Sequence, residues 1–155
     1  MAGHISTVDL SPLLLEIRHD SELFPEDTNR KVELTAGAPA NTWSDWAEIE
    51  DDTPVTPDTL SSKFATQLGH ISGILIEDLS DKEKRYQLEV AYGDAKTRVL
   101  THRFLTGDVA KKLAAIQFIR IRAEEVPAGE TIYYKMKCET AGATCEVSFR
   151  YHYHP

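Results

Sequence analysis

Between residues 130 and 153 apolar and polar side chains alternate with a period of two, in two runs separated by a glycine. Ile132, Tyr134, Met136 and Cys138 share one face of the first run, and Cys145, Val147, Phe149, Tyr151 and Tyr153 share one face of the second. A period of two is the mark of a half-buried strand, since a helix would scatter those side chains around its axis. With a turn at Ala141-Gly142, the directly opposed pairs become Cys138–Cys145, Met136–Val147, Tyr134–Phe149 and Ile132–Tyr151. Every inward pair is then apolar, while Lys137 opposes Glu146 and Tyr133 opposes Arg150. A slip of one residue would set apolar against polar throughout. Gly142 tolerates the positive φ of a tight turn. The expectation is an antiparallel hairpin with a basic outer face of Lys135, Lys137, Arg150, His152 and His154.

The rest of the chain repeats this language more quietly. Residues 70–79 are apolar on both faces around Ile74, Leu75 and Ile76, as in a strand buried between layers. Residues 84–92 alternate, Gly93-Asp94 is turn chemistry, and residues 96–105 return, which predicts a second hairpin. Residues 31–34, 43–50 and 116–123 are shorter strand candidates; in the last, Ile119 and Ile121 are expected inward, Arg120 and Arg122 outward. Asp108 can cap a short helix over the residues that follow it. Residues 1–30 read as an N-terminal arm, and residues 50–62, with two prolines and several acids, as a loop or linker. Residues 31–155 are thus expected to form one mostly β domain. Short strands at close spacing predict an antiparallel β-sandwich, with jelly-roll winding the best fit.

The chain's 155 residues suit one domain, and 41% hydrophobic content is enough for a core. Its longest apolar runs, Leu13-Leu14-Leu15 and Ile74-Leu75-Ile76, fall far short of the roughly 18 residues of a membrane span. No basic segment precedes an apolar stretch at the N-terminus, so synthesis inside the cell is expected. Residues 1–81 carry 16 acids and 4 bases, a net of −12; residues 82–155 carry 9 and 13, a net of +4. Such a split suits either two differently solvated surfaces or an acidic part that meets a basic surface on a neighbour. The overall −8 repels nucleic acid, and no basic cluster interleaved with aromatics offsets it.

Four constellations bear on chemistry. His152 and His154 stand two apart on one strand face, a spacing that can hold a metal. No further ligand lies near them in sequence, so they read as solvated or interface histidines. Glu48, Glu50, Asp51, Asp52 and Asp58 could offer oxygens to calcium, but lack the ordered spacing of a calcium loop. Cys138 and Cys145, opposed across the hairpin at about 5.5 Å, would be within disulfide reach; poor bridge geometry across such a pair favours two buried thiols. Trp43 and Trp46 could stack on a sugar; three residues apart on a strand, they would lie on opposite faces. No nucleophile elbow or phosphate-binding glycine loop is present, so neither an enzyme nor a cofactor is expected. A hydrolase built on paired carboxylates would require a cleft with converging acids.

Residues 119–122, then Val126-Pro127-Ala128-Gly129-Glu130-Thr131-Ile132, then residues 145–153 resemble the closing strands of jelly-roll proteins that decorate tailed-phage heads, the auxiliary or cement class. The resemblance covers about the last third of the chain. It implies a structural protein on the capsid exterior, made in the host cytoplasm. Its partners would be copies of itself, most often in trimers, and a lattice such as a major capsid protein, with no membrane. Trp43, Trp46, Lys135, Lys137, Arg150, His152 and His154 are the candidate interface residues. A carbohydrate- or ligand-binding β-sandwich module is the alternative.

Overall fold

The computed structural model describes residues 21–105, 117–120 and 123–154. These residues are mostly strands: β1 (Glu22–Phe24), β2 (Val32–Thr35), β3 (Ala47–Glu48), β4 (Gly69–Leu79), β5 (Arg85–Tyr92), β6 (Thr97–Leu105), β7 (Gln117–Arg120), β8 (Ile132–Cys138) and β9 (Thr144–Tyr153), with a helix α1 (Leu60–Lys63) between β3 and β4. They make an antiparallel β-sandwich. In the five-stranded sheet β9 is central: β4 flanks one side, with β7 beyond it, and β1 and β2 share the other. The four-stranded sheet runs β3-β8-β5-β6.

The alternating residues of β8 and β9 point inward as expected. Ile132, Met136, Cys138, Cys145, Val147, Phe149 and Tyr151 are each at most 1% exposed. The pairing, however, is not a hairpin. β8 hydrogen-bonds to β5, with Cys138 opposite Tyr86 and Lys137 opposite Gln87; β9 hydrogen-bonds to β4, with Cys145 opposite Leu79 and Glu146 opposite Asp78. The two strands therefore belong to different sheets and meet face to face across the core. The reason is physical. Alternation says which side chains face the core, and that pattern is identical for hairpin neighbours and for strands in opposing sheets. The groups that would close a hairpin are taken by the exit of β2: Ala36 N–H donates to the Ala143 carbonyl (2.8 Å), Gly142 N–H to Gly37 (3.2 Å) and Asn41 N–H to Cys138 (2.7 Å). Gly142 does adopt a positive φ of 65°, in a connection that crosses between sheets. Both cysteines are buried free thiols.

The second hairpin is present. β5 and β6 pair from Arg85–Leu105 to Tyr92–Thr97, with an irregularity at Val90/Ala91, and Gly93 turns at a φ of 69°. Strand expectations at 31–34, 70–79 and 116–123 correspond to β2, β4 and β7, whereas only Ala47–Glu48 of residues 43–50 is strand. Residues 22–24, within the stretch read as an arm, pair with β9. The helix expected after Asp108, and the inward or outward sense of residues 119–122, lie outside the described residues.

Residues 51–58 form the expected loop, but it is tied down rather than a free spacer. Glu50 bridges Thr59, and Thr59 caps α1, its hydroxyl accepting from Ser62 N–H (3.1 Å). Ile49, Leu60 and Phe64 are fully buried. Three apolar anchors thus fasten a stretch whose acids and prolines suggested solvent. The acids themselves hold the loop: Asp51 accepts from Thr53 and Asp58 N–H, Asp52 from Lys31 N–H, and Glu48 from the Ser61 hydroxyl. They serve as turn staples, which is the ordinary use of Asp in loops.

Candidate functional site

The outer face of the four-stranded sheet gathers aromatic and basic side chains. Register alone brings several together, placing Glu89 of β5 opposite Lys135 of β8 and Ala91 opposite Tyr133. Glu89 points away from the core, yet is only 8% exposed. Lys135 and Arg98 cover it, each with a nitrogen 3.5 Å from its carboxylate. The Lys135 ammonium also lies 5.0 Å from the centre of the Trp43 ring and 4.5 Å from that of Trp46. Lys137 stands 4.8 Å over Trp43, and Lys96 3.4 Å over Tyr133. Each ammonium thereby meets the electron-rich face of a ring.

The tryptophans reach this face through a tight loop. Residues 42–46 are not strand, so the opposite-face rule does not apply, and both half-buried indoles converge on Lys135. Ser44 fixes the segment to the edge of β8: its N–H donates to the Met136 carbonyl (2.9 Å), and its hydroxyl accepts from Met136 N–H (3.0 Å). Closure requires Gly37, because a Cβ there would stand 2.5 Å from the backbone of Thr42 and Trp43. A shallow cleft of about 300 Å³ opens beside Lys137, between Asn41, Arg85, Gln87 and Glu139.

Arg150, His152 and His154 lie elsewhere. Arg150 and His152 sit on β9, in the other sheet, so the single basic face of Lys135, Lys137, Arg150, His152 and His154 is in fact two faces on opposite sides of the sandwich. The expected Lys137–Glu146 and Tyr133–Arg150 neighbours are likewise separated; Glu146 is held by Lys31 instead. Beside His152, the register of β4 and β9 sets His70, and a backbone bridge between Gly69 and Val126 brings Glu125 close.

Sequence reading missed Glu89, Lys96, Arg98, His70 and Glu125. The first three are ordinary polar positions of an alternating hairpin. His70 is 82 residues from His152, and only strand pairing makes them neighbours.

Glu89 is the electrostatic centre of the aromatic face, and Glu89→Gln is expected to lower stability by about 2 kcal/mol. That is less than the roughly 3–5 kcal/mol of breaking a fully buried pair, because Arg98 is largely exposed. Urea denaturation checks the magnitude, and a shift in tryptophan emission would report that Lys135 has moved from the indoles.

Comparison with protein-family models, with curated proteins and with solved structures finds no match. No helix among the described residues is long and apolar enough to cross a membrane.

Proposed function

We propose that the chain is a non-enzymatic assembly protein that binds an acidic protein surface through the outer face of its four-stranded sheet. One observation carries this reading: Trp43, Trp46 and Tyr133 share that face with Lys96, Arg98, Lys135 and Lys137 around the buried carboxylate of Glu89. Tryptophan, tyrosine and arginine dominate the energetic centres of protein interfaces. Charge complementarity with an anionic partner steers association and selects against wrong partners. The acidic first half of the same chain offers such a partner on a neighbouring copy, which suits a homo-oligomer, with a trimer favoured. A capsid decoration role is the specific setting suggested by the resemblance of the last third, with the two sheets wound as a jelly roll on a virion exterior.

Two adjacent, half-buried indoles also favour a second reading, a carbohydrate-binding module. The lysines over the rings speak for the first, because they occupy faces on which a sugar would stack.

Light scattering on the purified full chain is expected to show an oligomer. The double variant Trp46→Ala/Lys137→Glu should reduce it to monomer with its melting temperature little changed. Arg150→Glu, on the other sheet, should leave the oligomer intact. A wild-type monomer that binds no acidic protein surface, or an oligomer that survives the double variant and yields to Arg150→Glu, overturns the assignment. A response on a glycan array in place of self-association would select the second reading.

A further inference from the structure

The opposite face carries a cluster of imidazoles that owes nothing to the aromatic face. β4 and β9 pair with His70 directly opposite His152. His154 follows two residues on, and its N–H donates to the Leu68 carbonyl (3.1 Å), which fastens the end of β9 beside the start of β4. The ring centres of His70 and His154 are 4.5 Å apart, those of His70 and His152 5.5 Å, and those of His152 and His154 5.4 Å. A third segment closes the group. Gly69 and Val126 exchange backbone hydrogen bonds of 3.1 and 2.8 Å, so Glu125 reaches within 3.9 Å of the His70 Nε2.

We propose that His70, Glu125 and His154 form a binding site for a divalent transition-metal ion, with zinc the best chemical fit. Three features support it. First, one donor atom from each of the three residues lies within 4.8 Å of the others, so small side-chain rotations bring all three around one ion. Second, the tautomer of His70 is set for ligation. Its Nδ1 lies 3.1 Å from the Ala123 carbonyl. A carbonyl can only accept, so in the neutral ring Nδ1 carries the proton and Nε2, on the side of Glu125, holds the lone pair. A metal-bound histidine is oriented in the same way, by a backbone carbonyl on its other nitrogen. Third, the frame is rigid. Gly69 lets the strands approach so closely that a Cβ there would sit 2.3 Å from the His152 carbonyl oxygen, and all three ligand-bearing segments are tied by backbone hydrogen bonds.

Two imidazoles and one carboxylate form the nitrogen and oxygen set that zinc takes at about 2.0–2.2 Å, and they suit calcium or magnesium poorly. His152, its ring centre 5.5 Å from that of His70 and 5.4 Å from that of His154, would border the water that completes a four-coordinate ion. An ion here would clamp the end of β9, the start of β4 and residues 123–126 together, through ligands up to 84 positions apart.

The test uses the full chain after treatment with a chelator. Calorimetric titration with zinc chloride is expected to show one ion per chain, and saturating zinc should raise the melting temperature by several degrees. His70→Ala and Glu125→Gln should each weaken binding by more than the roughly tenfold lost when an outer partner of a metal site is removed. Cobalt substitution should give the intense visible bands of a four-coordinate ion, a readout that needs no variant to fold. Absence of saturable zinc binding, full affinity in both variants, or a cobalt spectrum that stays that of the hydrated ion overturns the site.

Discussion

Phe64→Ala is expected to destabilise the protein by about 3–5 kcal/mol, the ordinary cost of emptying an aromatic site in a core. For a domain of this size that corresponds to a fall of roughly 10 °C in melting temperature. The residue closes α1, at the end of a stretch whose sequence describes a linker. It is fully buried, its ring centre lies 5.6 Å from that of Tyr151 and 6.1 Å from that of Tyr153, and its carbonyl accepts from Gly129 N–H (2.9 Å). Truncation would therefore leave a void against the inner side of β9 and release the loop that Ile49 and Leu60 also anchor. Two measurements separate this picture from that of a spacer. Urea denaturation gives the loss in stability. Limited proteolysis gives the loosening, since Val55 at the loop's tip is fully exposed and the cut rate there should rise in the variant. A change below about 1 kcal/mol would return the segment to the role of linker.

The contrast between legible and illegible features follows from how far each signal reaches along the chain. Alternation is local, so the inward faces of β5, β8 and β9 could be read directly, and Gly93-Asp94 marked a real hairpin. Sheet membership is not local. Nothing in residues 132–153 distinguishes a hairpin from a crossing between sheets, because both bury the same side chains. The deciding groups were Ala36, Gly37 and Asn41, roughly a hundred positions away, which occupy the backbone of the crossing. The same separation hid the functional faces. Lys135 and Lys137 could be read as outward, and so could Arg150 and His152, but whether they share a surface depends on that crossing. Trp43 and Trp46 misled for another reason. Their side was inferred from a strand that begins only after them, at Ala47, and Gly37, whose role is to admit Thr42 and Trp43 at close range, looks in sequence like any loop glycine.

Stability should fall steeply in alkali, and between pH 9 and 11 Cys145 should account for the largest single share, because an unfolded thiol ionises before an unfolded phenol. Burial pushes its thiol from an ordinary value near 9 up to about 12, and the carboxylates of Glu146 and Asp78 add to the effect. Burial likewise raises the Tyr86 phenol to about 12, and raises that of Tyr151, whose hydroxyl donates to Glu22 (2.8 Å). The direction follows from proton counting. Each group is neutral when protonated, so the folded state keeps its proton where the unfolded state has already released it. The unfolded chain binds fewer protons above about pH 9, and stability must decline as pH rises. Below that point the contribution is fully present; it is lost progressively until the folded thiol itself ionises near pH 12. Between pH 9 and pH 11, where the unfolded thiol is ionised and the folded one is not, the loss amounts to roughly 3 kcal/mol for Cys145. Urea denaturation between pH 7 and 11 should show the decline, and Cys145→Ala should flatten it by close to one proton, whatever that variant costs at neutral pH. Reactivity offers an independent check, because alkylation proceeds through the thiolate. At pH 9 Cys145 should resist iodoacetamide in the folded chain and react readily in urea. Equal rates in the two states would mean that the thiol is not held neutral by the core, and the alkaline decline would then have to come from the tyrosines alone.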